Sequence, residues 1–180
     1  MATNNLKIGS SAPNFDLIAT DGKKYSLSSF DDKQALIVIF SCNHCPYVQA
    51  YEGRIKEIQE KYKGKGVAVV AINSNEDVNY PEDSFENMRR RAEEQNFNFP
   101  YLRDEDQSIA RAYDASHTPE IFLFDKERKL AFHGKIDDNW QEPNKVQNPY
   151  LRNALDELLA GKEISVPETF TIGCTIKWKK

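Results

Sequence analysis

Two runs of apolar residues stand out in the pattern of hydrophobic and polar positions along the chain. They cover residues 35–40 and 67–73 and contain no charged side chain. Such runs predict strands that are buried on both faces, as in the middle of a parallel sheet. Between the two runs, apolar residues recur at steps of three and four, which is typical of a helix that packs on a sheet. These residues are Val48, Tyr51, Ile55, Ile58 and Tyr62.

Strand, helix and strand within about forty residues predict a right-handed crossover unit with two parallel strands. Alternating apolar positions around Asp21-Gly22 predict a β-hairpin before this unit, because Asp-Gly favours a tight turn. In the tail, every second residue from Phe170 to Trp178 is apolar. This alternation predicts a strand with Cys174 on its apolar face. The other predicted elements are helices over residues 85–92, 108–113 and 149–160 and a second hairpin over residues 121–136.

Composition and charge exclude several classes of partner. The 180 residues include 39% hydrophobic residues and carry a net charge of −4, which suits one globular domain over residues 1–180. Because no face carries a basic excess, we expect neither nucleic acid nor a membrane surface as a partner. No apolar stretch reaches the length of a membrane span, and residues 1–7 lack the hydrophobic region of a secretory signal. A cytoplasmic protein is therefore expected.

The candidate chemistry lies directly after the first apolar run, where Cys42 and Cys45 are separated by two residues. In a reducing compartment such a pair is typical of redox catalysis or of metal binding. The helix dipole at the start of the following helix favours a thiolate at Cys42. We expect Cys42 to be the more exposed sulfur and the nucleophile, and Cys45 to be the resolving thiol inside the first turn. His44 between them is a possible modulator of this acidity.

Other residues leave alternatives open. A structural disulfide or a metal site would use the same pair, the latter with one of His44, His117 or His133, although a closed zinc site needs four ligands. Cys174 is either a buried packing residue or a third redox thiol that exchanges with the pair. Pro119 precedes the apolar run of residues 121–124, which makes the peptide bond before it a candidate cis bond.

The order of these elements resembles that of the thioredoxin-like superfamily. The entry segment is similar to that of its alkyl hydroperoxide reductase and thiol-specific antioxidant branch, the redoxins. The residues that carry this likeness are Gly9, Ala12, Pro13, Phe15 and Leu17, followed by Asp21-Gly22. The resemblance covers about residues 8–136 and leaves residues 137–180 as an extension of helix plus strand. It implies a thioredoxin-like α/β fold, with an N-terminal β-hairpin and a central mixed sheet flanked by helices.

The resemblance also implies a site. Cys42 and Cys45 correspond to the redox pair, Pro119 to the cis-proline beside it, and Thr118 to a backbone contact for an extended substrate. Peroxiredoxins carry the signature Pro-x-x-x-Thr/Ser-x-x-Cys around the cysteine that attacks peroxide. With Cys45 in that role, Cys42 stands at the Thr/Ser position and Val38 at the proline position, so the signature is incomplete.

A second departure concerns proton transfer. Leu36 stands where thioredoxins bury an acidic residue. The proton acceptor for Cys45 is therefore unassigned, and Glu52 and Glu120 are its candidates.

The leading hypothesis is a thiol-disulfide oxidoreductase that needs no cofactor. Its expected partners are protein or small-molecule disulfides and a thiol reductant, such as thioredoxin or a low-molecular-weight thiol. The alternative is a peroxiredoxin-like peroxidase with antioxidant activity, in which a sulfenic acid on one cysteine is captured by the other as a disulfide. A metal-binding or metallochaperone module is a third hypothesis.

Overall fold

A computed structural model describes residues 6–180. The prediction that no secretory signal is present falls mainly on residues 1–5, which lie outside the described residues. The strands are β1 Asp16–Ile18, β2 Lys24–Ser26, β3 Ala35–Phe40, β4 Val67–Asn73, β5 Tyr101–Arg103, β6 His117–Thr118, β7 Glu120–Phe124, β8 Leu130–Gly134 and β9 Cys174–Thr175. The helices are α1 Pro46–Tyr62, α2 Phe85–Glu94, α3 Ser108–Ala112 and α4 Tyr150–Leu159.

The centre of the fold is a five-stranded mixed sheet with the order β5-β4-β3-β7-β8. Strand β3 pairs in parallel with β4 and antiparallel with β7. Every residue of β3 and of β4 is buried, as expected for strands that carry no charge. The predicted crossover from β3 through α1 to β4 is therefore confirmed.

Alternation along β3 divides the hydrophobic core into two layers, because successive side chains of a strand point to opposite faces. Ile37 and its neighbours on the same face pack with α1 and α4. Val38 and its neighbours pack on the other face with Phe15 of the N-terminal segment and with Tyr113. Both faces of the sheet are therefore covered, and the chain passes from the carboxyl end of β3 into a loop that leads to α1.

The predicted N-terminal hairpin is confirmed. Strands β1 and β2 are antiparallel, with Leu17 opposite Tyr25. Gly22 has a φ of +84° in the turn between them, a conformation that glycine adopts without strain.

The C-terminal extension contains a helix and a strand, but the strand is much shorter than the alternation predicted. Only the two residues of β9 pair with β6. Pro119 follows β6 and has no N–H to continue the ladder. The side chain of Phe170 is 91% exposed, whereas Ile176 is buried in the layer that contains Val38. The tail therefore follows the edge of the fold and does not add a full strand to the sheet.

Within residues 6–180, the structure has no helix that is both long and apolar enough to cross a membrane.

Candidate active site

The two neighbouring cysteines lie in the loop that connects β3 to α1. Helix α1 begins at Pro46, and Cys45 is its N-cap residue, with φ −77° and ψ 124°. The sequence prediction had placed Cys45 inside the first turn, which is wrong. Proline fits the first helical position because no N–H is needed there, and it keeps the preceding residue out of the helical conformation. The Cys45-Pro46 dipeptide was thus the signal that would have set the helix start correctly.

Both sulfurs are buried. Cys42 is 1% exposed and Cys45 is 0% exposed, so the difference in exposure that the sequence led us to expect between Cys42 and Cys45 is only one percentage point. The two cysteines form a small cluster with Val48, and the side chains of Tyr47 and Cys174 pack against it. Exposure therefore does not distinguish an attacking sulfur from a resolving one.

The two thiols differ in acidity. A hydrogen bond from the Cys42 thiol lowers the pKa of Cys45 to about 4, against the opposing effect of burial. Contacts with the Cys174 thiol and with the N–H of Val48 lower this pKa further. The same hydrogen bond, burial and the charge of Asp83 raise the pKa of Cys42. The negative charge therefore rests on the cap residue Cys45, because the helix N-terminus favours an anion there, and not on Cys42 as the sequence predicted.

Thr118 and Pro119 lie beside the pair. The Thr118–Pro119 peptide bond is cis, which confirms the sequence prediction. Thr118 Oγ1 lies 3.3 Å from Cys42 Sγ, and the Thr118 carbonyl oxygen lies 3.4 Å from Cys45 Sγ. The hydroxyl can donate a hydrogen bond to a Cys42 thiolate, whereas the carbonyl oxygen can accept a hydrogen bond from Cys45 only when Cys45 is a thiol. Thr118 therefore opposes the charge distribution that the helix cap favours.

The third cysteine also reaches the pair. Cys174 Sγ lies 2.8 Å from Cys45 Sγ, although 129 positions separate them in the sequence. Burial and the contact with Cys45 raise the pKa of Cys174 to about 11. Cys174 is half-buried, and the proximity needed for a redox role is present.

His44 and Asp83 form the polar side of the site. His44 Nδ1 lies 2.5 Å from Asp83 Oδ2, and the His44 ring stacks on Tyr80 with 5.9 Å between ring centroids. Asp83 Oδ1 accepts a hydrogen bond of 2.6 Å from the backbone N–H of Asn43. Sequence reasoning did not identify Asp83. The available signal was its place in the polar loop that follows β4, at the sheet edge where ligands of parallel sheets collect.

The ligand set of the metal hypothesis is not assembled as predicted. Among the described residues, the grouped metal-binding atoms belong to Cys42, His44 and Asp83, all within 4.8 Å of one another. Cys45 is not in this group, and a closed zinc site needs a fourth ligand. His117 Nδ1 lies 2.7 Å from the hydroxyl of Ser116. The third histidine, at position 133, lies 3.8 Å from two carboxylates.

The two candidate proton acceptors have other partners. Glu52 forms a two-pronged ion pair with Arg91, whose Nε lies 2.8 Å from Glu52 Oε2. Glu120 accepts hydrogen bonds of 3.3 Å from the backbone and the hydroxyl of Ser116, and its Oε1 lies 3.8 Å from His133 Nε2. No hydrogen bond joins either carboxylate to a cysteine in the part of the chain that the structure describes.

The sheet order, the Cys-x-x-Cys pair at the start of α1 and the cis-proline beside it define a protein of the thioredoxin-like class. Residues 7–149 match the Redoxin family model, and the chain belongs to the redoxin family. This confirms the sequence prediction of both fold and family. Residues 150–180, which include Cys174, lie beyond the match.

Individual proteins and solved structures are also similar to this chain. The crystal structure of an uncharacterized conserved protein from Geobacillus kaustophilus is 42% identical, with a TM-score of 0.91 over 98% of this chain and 94% of that chain. Thiol-disulfide oxidoreductase ResA from Bacillus subtilis is 31% identical over 125 residues, which are 68% of this chain and 64% of that protein. The chain thus spans just under two thirds of that relative's length. The thioredoxin domain of a thiol-disulfide oxidoreductase from Bacteroides vulgatus shares the fold, at 21% identity and a TM-score of 0.62 over 72% of this chain and 89% of that one.

Proposed function

We propose that this redoxin is a thiol-disulfide oxidoreductase, in which Cys42 and Cys45 alternate between dithiol and disulfide. The observation that carries the proposal is the contact between the two sulfurs at the N-terminus of α1, where Cys45 holds the charge. A thiolate is the form that attacks a disulfide, and a neighbouring thiol is needed to release the product. ResA, a relative of this chain, is named for the same activity.

The acidity of the pair suggests the order of attack. The sequence assigned Cys42 as the nucleophile and Cys45 as the resolving thiol. Since both sulfurs are buried, their acidity is the better guide, and it favours Cys45 as the attacking thiolate. The 2.8 Å contact of Cys45 with Cys174, which lies on a strand paired with Thr118, supports attack by Cys45 on a sulfur presented from that edge.

The chemistry then has two steps. The Cys45 thiolate attacks one sulfur of a substrate disulfide, so that a mixed disulfide forms and the other substrate sulfur leaves as a thiolate. Cys42 then attacks Cys45 Sγ, which forms the Cys42–Cys45 disulfide and releases the second substrate thiol. The proton of Cys42 passes to a departing substrate thiolate, so no dedicated base is required. A thiol reductant, such as thioredoxin or a low-molecular-weight thiol of the cytoplasm, returns the pair to the dithiol.

The substrate class follows from the edge beside the pair. Thr118 on β6 pairs with β9 in this structure, and its backbone groups would hold an extended substrate that takes the place of β9, as strand addition holds peptides. We therefore expect disulfides in extended protein segments to exchange faster than compact small-molecule disulfides.

A trapping experiment tests the proposal and the order of attack. It is done in a Cys174→Ser background, because the sulfur of Cys174 is close enough to resolve a mixed disulfide itself. With a disulfide peptide as substrate, Cys42→Ser should accumulate a mixed disulfide at Cys45. Cys45→Ser should lose at least about a hundredfold of the exchange rate. Both are read by mass spectrometry after acid quenching.

Each other outcome has a defined meaning. A mixed disulfide that accumulates at Cys42 in the Cys45→Ser protein would restore the order assigned from the sequence. Exchange that survives both substitutions would overturn the proposal. Rapid turnover of hydrogen peroxide without disulfide exchange would make the enzyme a peroxidase.

A further inference from the structure

The end of the chain crosses the site as an extended segment, residues 173–179, here called the strap. Within the strap, β9 pairs antiparallel with β6, so that Cys174 stands opposite Thr118. The ladder continues where the backbone N–H of Ile176 donates to the carbonyl of Ser116 at 2.9 Å. The strap therefore occupies the edge to which an extended substrate would add.

Gly173 shows that the strap is fitted to this edge. A Cβ atom at position 173 would collide with the backbone carbonyl group of Thr118. Only glycine allows the two backbones to approach so closely. By contrast, a Cβ atom on Gly64 would meet nothing within 4 Å.

The other end of the strap is anchored to the body of the protein. The backbone N–H of Lys177 donates to the side-chain Oδ1 of Asn75 at 2.9 Å, and the Lys177 carbonyl accepts from the backbone N–H of Glu76 at 2.8 Å. Both partners lie in the loop after β4. The side chain of Gln107, which is fully buried, donates to the Lys177 carbonyl at 2.8 Å. Ile176 is 3% exposed. Cys174 is thus held between a close backbone approach on one side and a hydrogen-bonded anchor on the other.

The sulfur of Cys174 is positioned for bond formation. Its separation of 2.8 Å from Cys45 Sγ is about 0.8 Å longer than the ~2.05 Å of a disulfide bond. A small movement within the pocket would bring the two sulfurs to bonding distance.

On the basis of the exchange proposed above, we infer that Cys174 is a third redox-active thiol and that the strap is a tethered substrate. Cys174 attacks Cys45 Sγ of the Cys42–Cys45 disulfide. The Cys42–Cys45 bond breaks, the Cys45–Cys174 bond forms, and Cys42 leaves with the bonding electron pair. The proton of Cys174 passes to Cys42, so one thiol and one disulfide are present both before and after the step, and no outside oxidant is needed beyond that which formed the first bond.

This transfer would close the site covalently. While Cys174 is bonded to Cys45, the strap cannot leave β6, and an external chain cannot pair with Thr118. A thiol reductant that cleaves the Cys45–Cys174 bond restores both the thiolate and the edge. The strap therefore makes substrate access depend on the supply of reductant.

Disulfide mapping of the full chain tests the inference. The Cys42→Ser protein is treated with one equivalent of diamide under native conditions, and free thiols are then alkylated in acid-quenched denaturant. We expect an intramolecular Cys45–Cys174 disulfide in the monomer. Alkylated Cys174 together with an intermolecular dimer through Cys45 would overturn the inference.

A glycine pair supplies the matched control. Gly173→Ala should reduce the yield of the Cys45–Cys174 bond about tenfold, because overpacking lifts the strap from β6. Gly64→Ala should leave that yield unchanged. Equal yields in the two variants would show that the docked strap is not what brings the sulfurs together.

Failure of this inference can be separated from failure of the proposed function. The Cys174→Ser protein retains Cys42 and Cys45. If it exchanges disulfides while the Cys42→Ser protein never bonds Cys45 to Cys174, the function stands and the third thiol is inert. If the Cys174→Ser protein neither exchanges disulfides nor forms the Cys42–Cys45 bond, the proposed function itself fails.

Discussion

The two sides of the sulfur cluster are built in opposite ways. Cys42 and Cys45 extend from β3 and α1, whose apolar residues are buried in both core layers. Cys174 arrives on the strap, which is held mostly by hydrogen bonds and places one apolar side chain, Ile176, in the core. Segments with few buried apolar contacts open at lower free energy than core strands. The site therefore has a rigid wall, formed by β3, α1 and the loop between them, and a removable wall, formed by the strap.

The largest expected effect is on the rigid wall. Ile37→Ala in β3 removes a fully buried side chain and should lower the free energy of unfolding by about 2–5 kcal/mol, which is at least about thirtyfold in the unfolding equilibrium. Denaturant unfolding measures this change. Ile18→Ala on β1, where the side chain is 43% exposed, is the control and should change stability by less than about 0.5 kcal/mol. Equal losses in both variants would contradict the assignment of β3 to the core.

The pH dependence of alkylation distinguishes the two walls chemically. The reactive form is the thiolate, so Cys45, with a pKa of about 4, should react at a nearly constant rate between about pH 7 and about pH 9. The pKa of Cys174 is raised to about 11, so its thiolate fraction grows about tenfold per pH unit. The ratio of Cys174 to Cys45 labelling should therefore rise about a hundredfold over this range. Site-resolved mass spectrometry of the reduced protein measures the ratio, and a constant ratio would refute the assignment of the charge to Cys45.

A smaller effect is expected at the removable wall. Ile176→Ala weakens the apolar contact of the strap and should raise the rate of Cys45 alkylation about tenfold, with little change in global stability. Ile172→Ala, just outside the strap and 42% exposed, should leave the alkylation rate unchanged. If Ile176→Ala instead lowers the global stability as much as Ile37→Ala does, the strap is part of the core and not a separate wall.

The smallest expected effect concerns Asp83. The charge of Asp83 is the third contribution that raises the pKa of Cys42, after the hydrogen bond with Cys45 and burial. Asp83→Asn removes the charge, and the pKa of Cys42 should fall. The rate at which Cys42 resolves a mixed disulfide at Cys45 should rise by less than about tenfold. Quenched-flow experiments measure this rate. Slower resolution would mean that Asp83 acts mainly through its hydrogen bond to the Asn43 backbone.

Much of the fold was accessible from local patterns. The uncharged runs of β3 and β4, the helical spacing in α1 and the Asp21-Gly22 turn each predict an element that the structure contains. The hydrophobic pattern was less informative where the length of a strand depends on the neighbouring strand with which it pairs. Alternation from Phe170 to Trp178 predicted a long strand, but β6 offers only two residues for pairing. A strand needs a neighbour, and the sequence of the tail does not say how long that neighbour is.

The sequence by itself determined that two cysteines follow a buried strand, that a Thr-Pro dipeptide precedes another, and that the chain has the features of a redoxin. These are local signals, since burial of a strand and the conformation around proline depend on neighbouring residues. Only the tertiary structure decided that Cys45 holds the charge, that Asp83 faces Cys42 and that Cys174 reaches the pair. Acidity and sulfur contacts depend on groups that are distant along the chain, and folding alone brings those groups together.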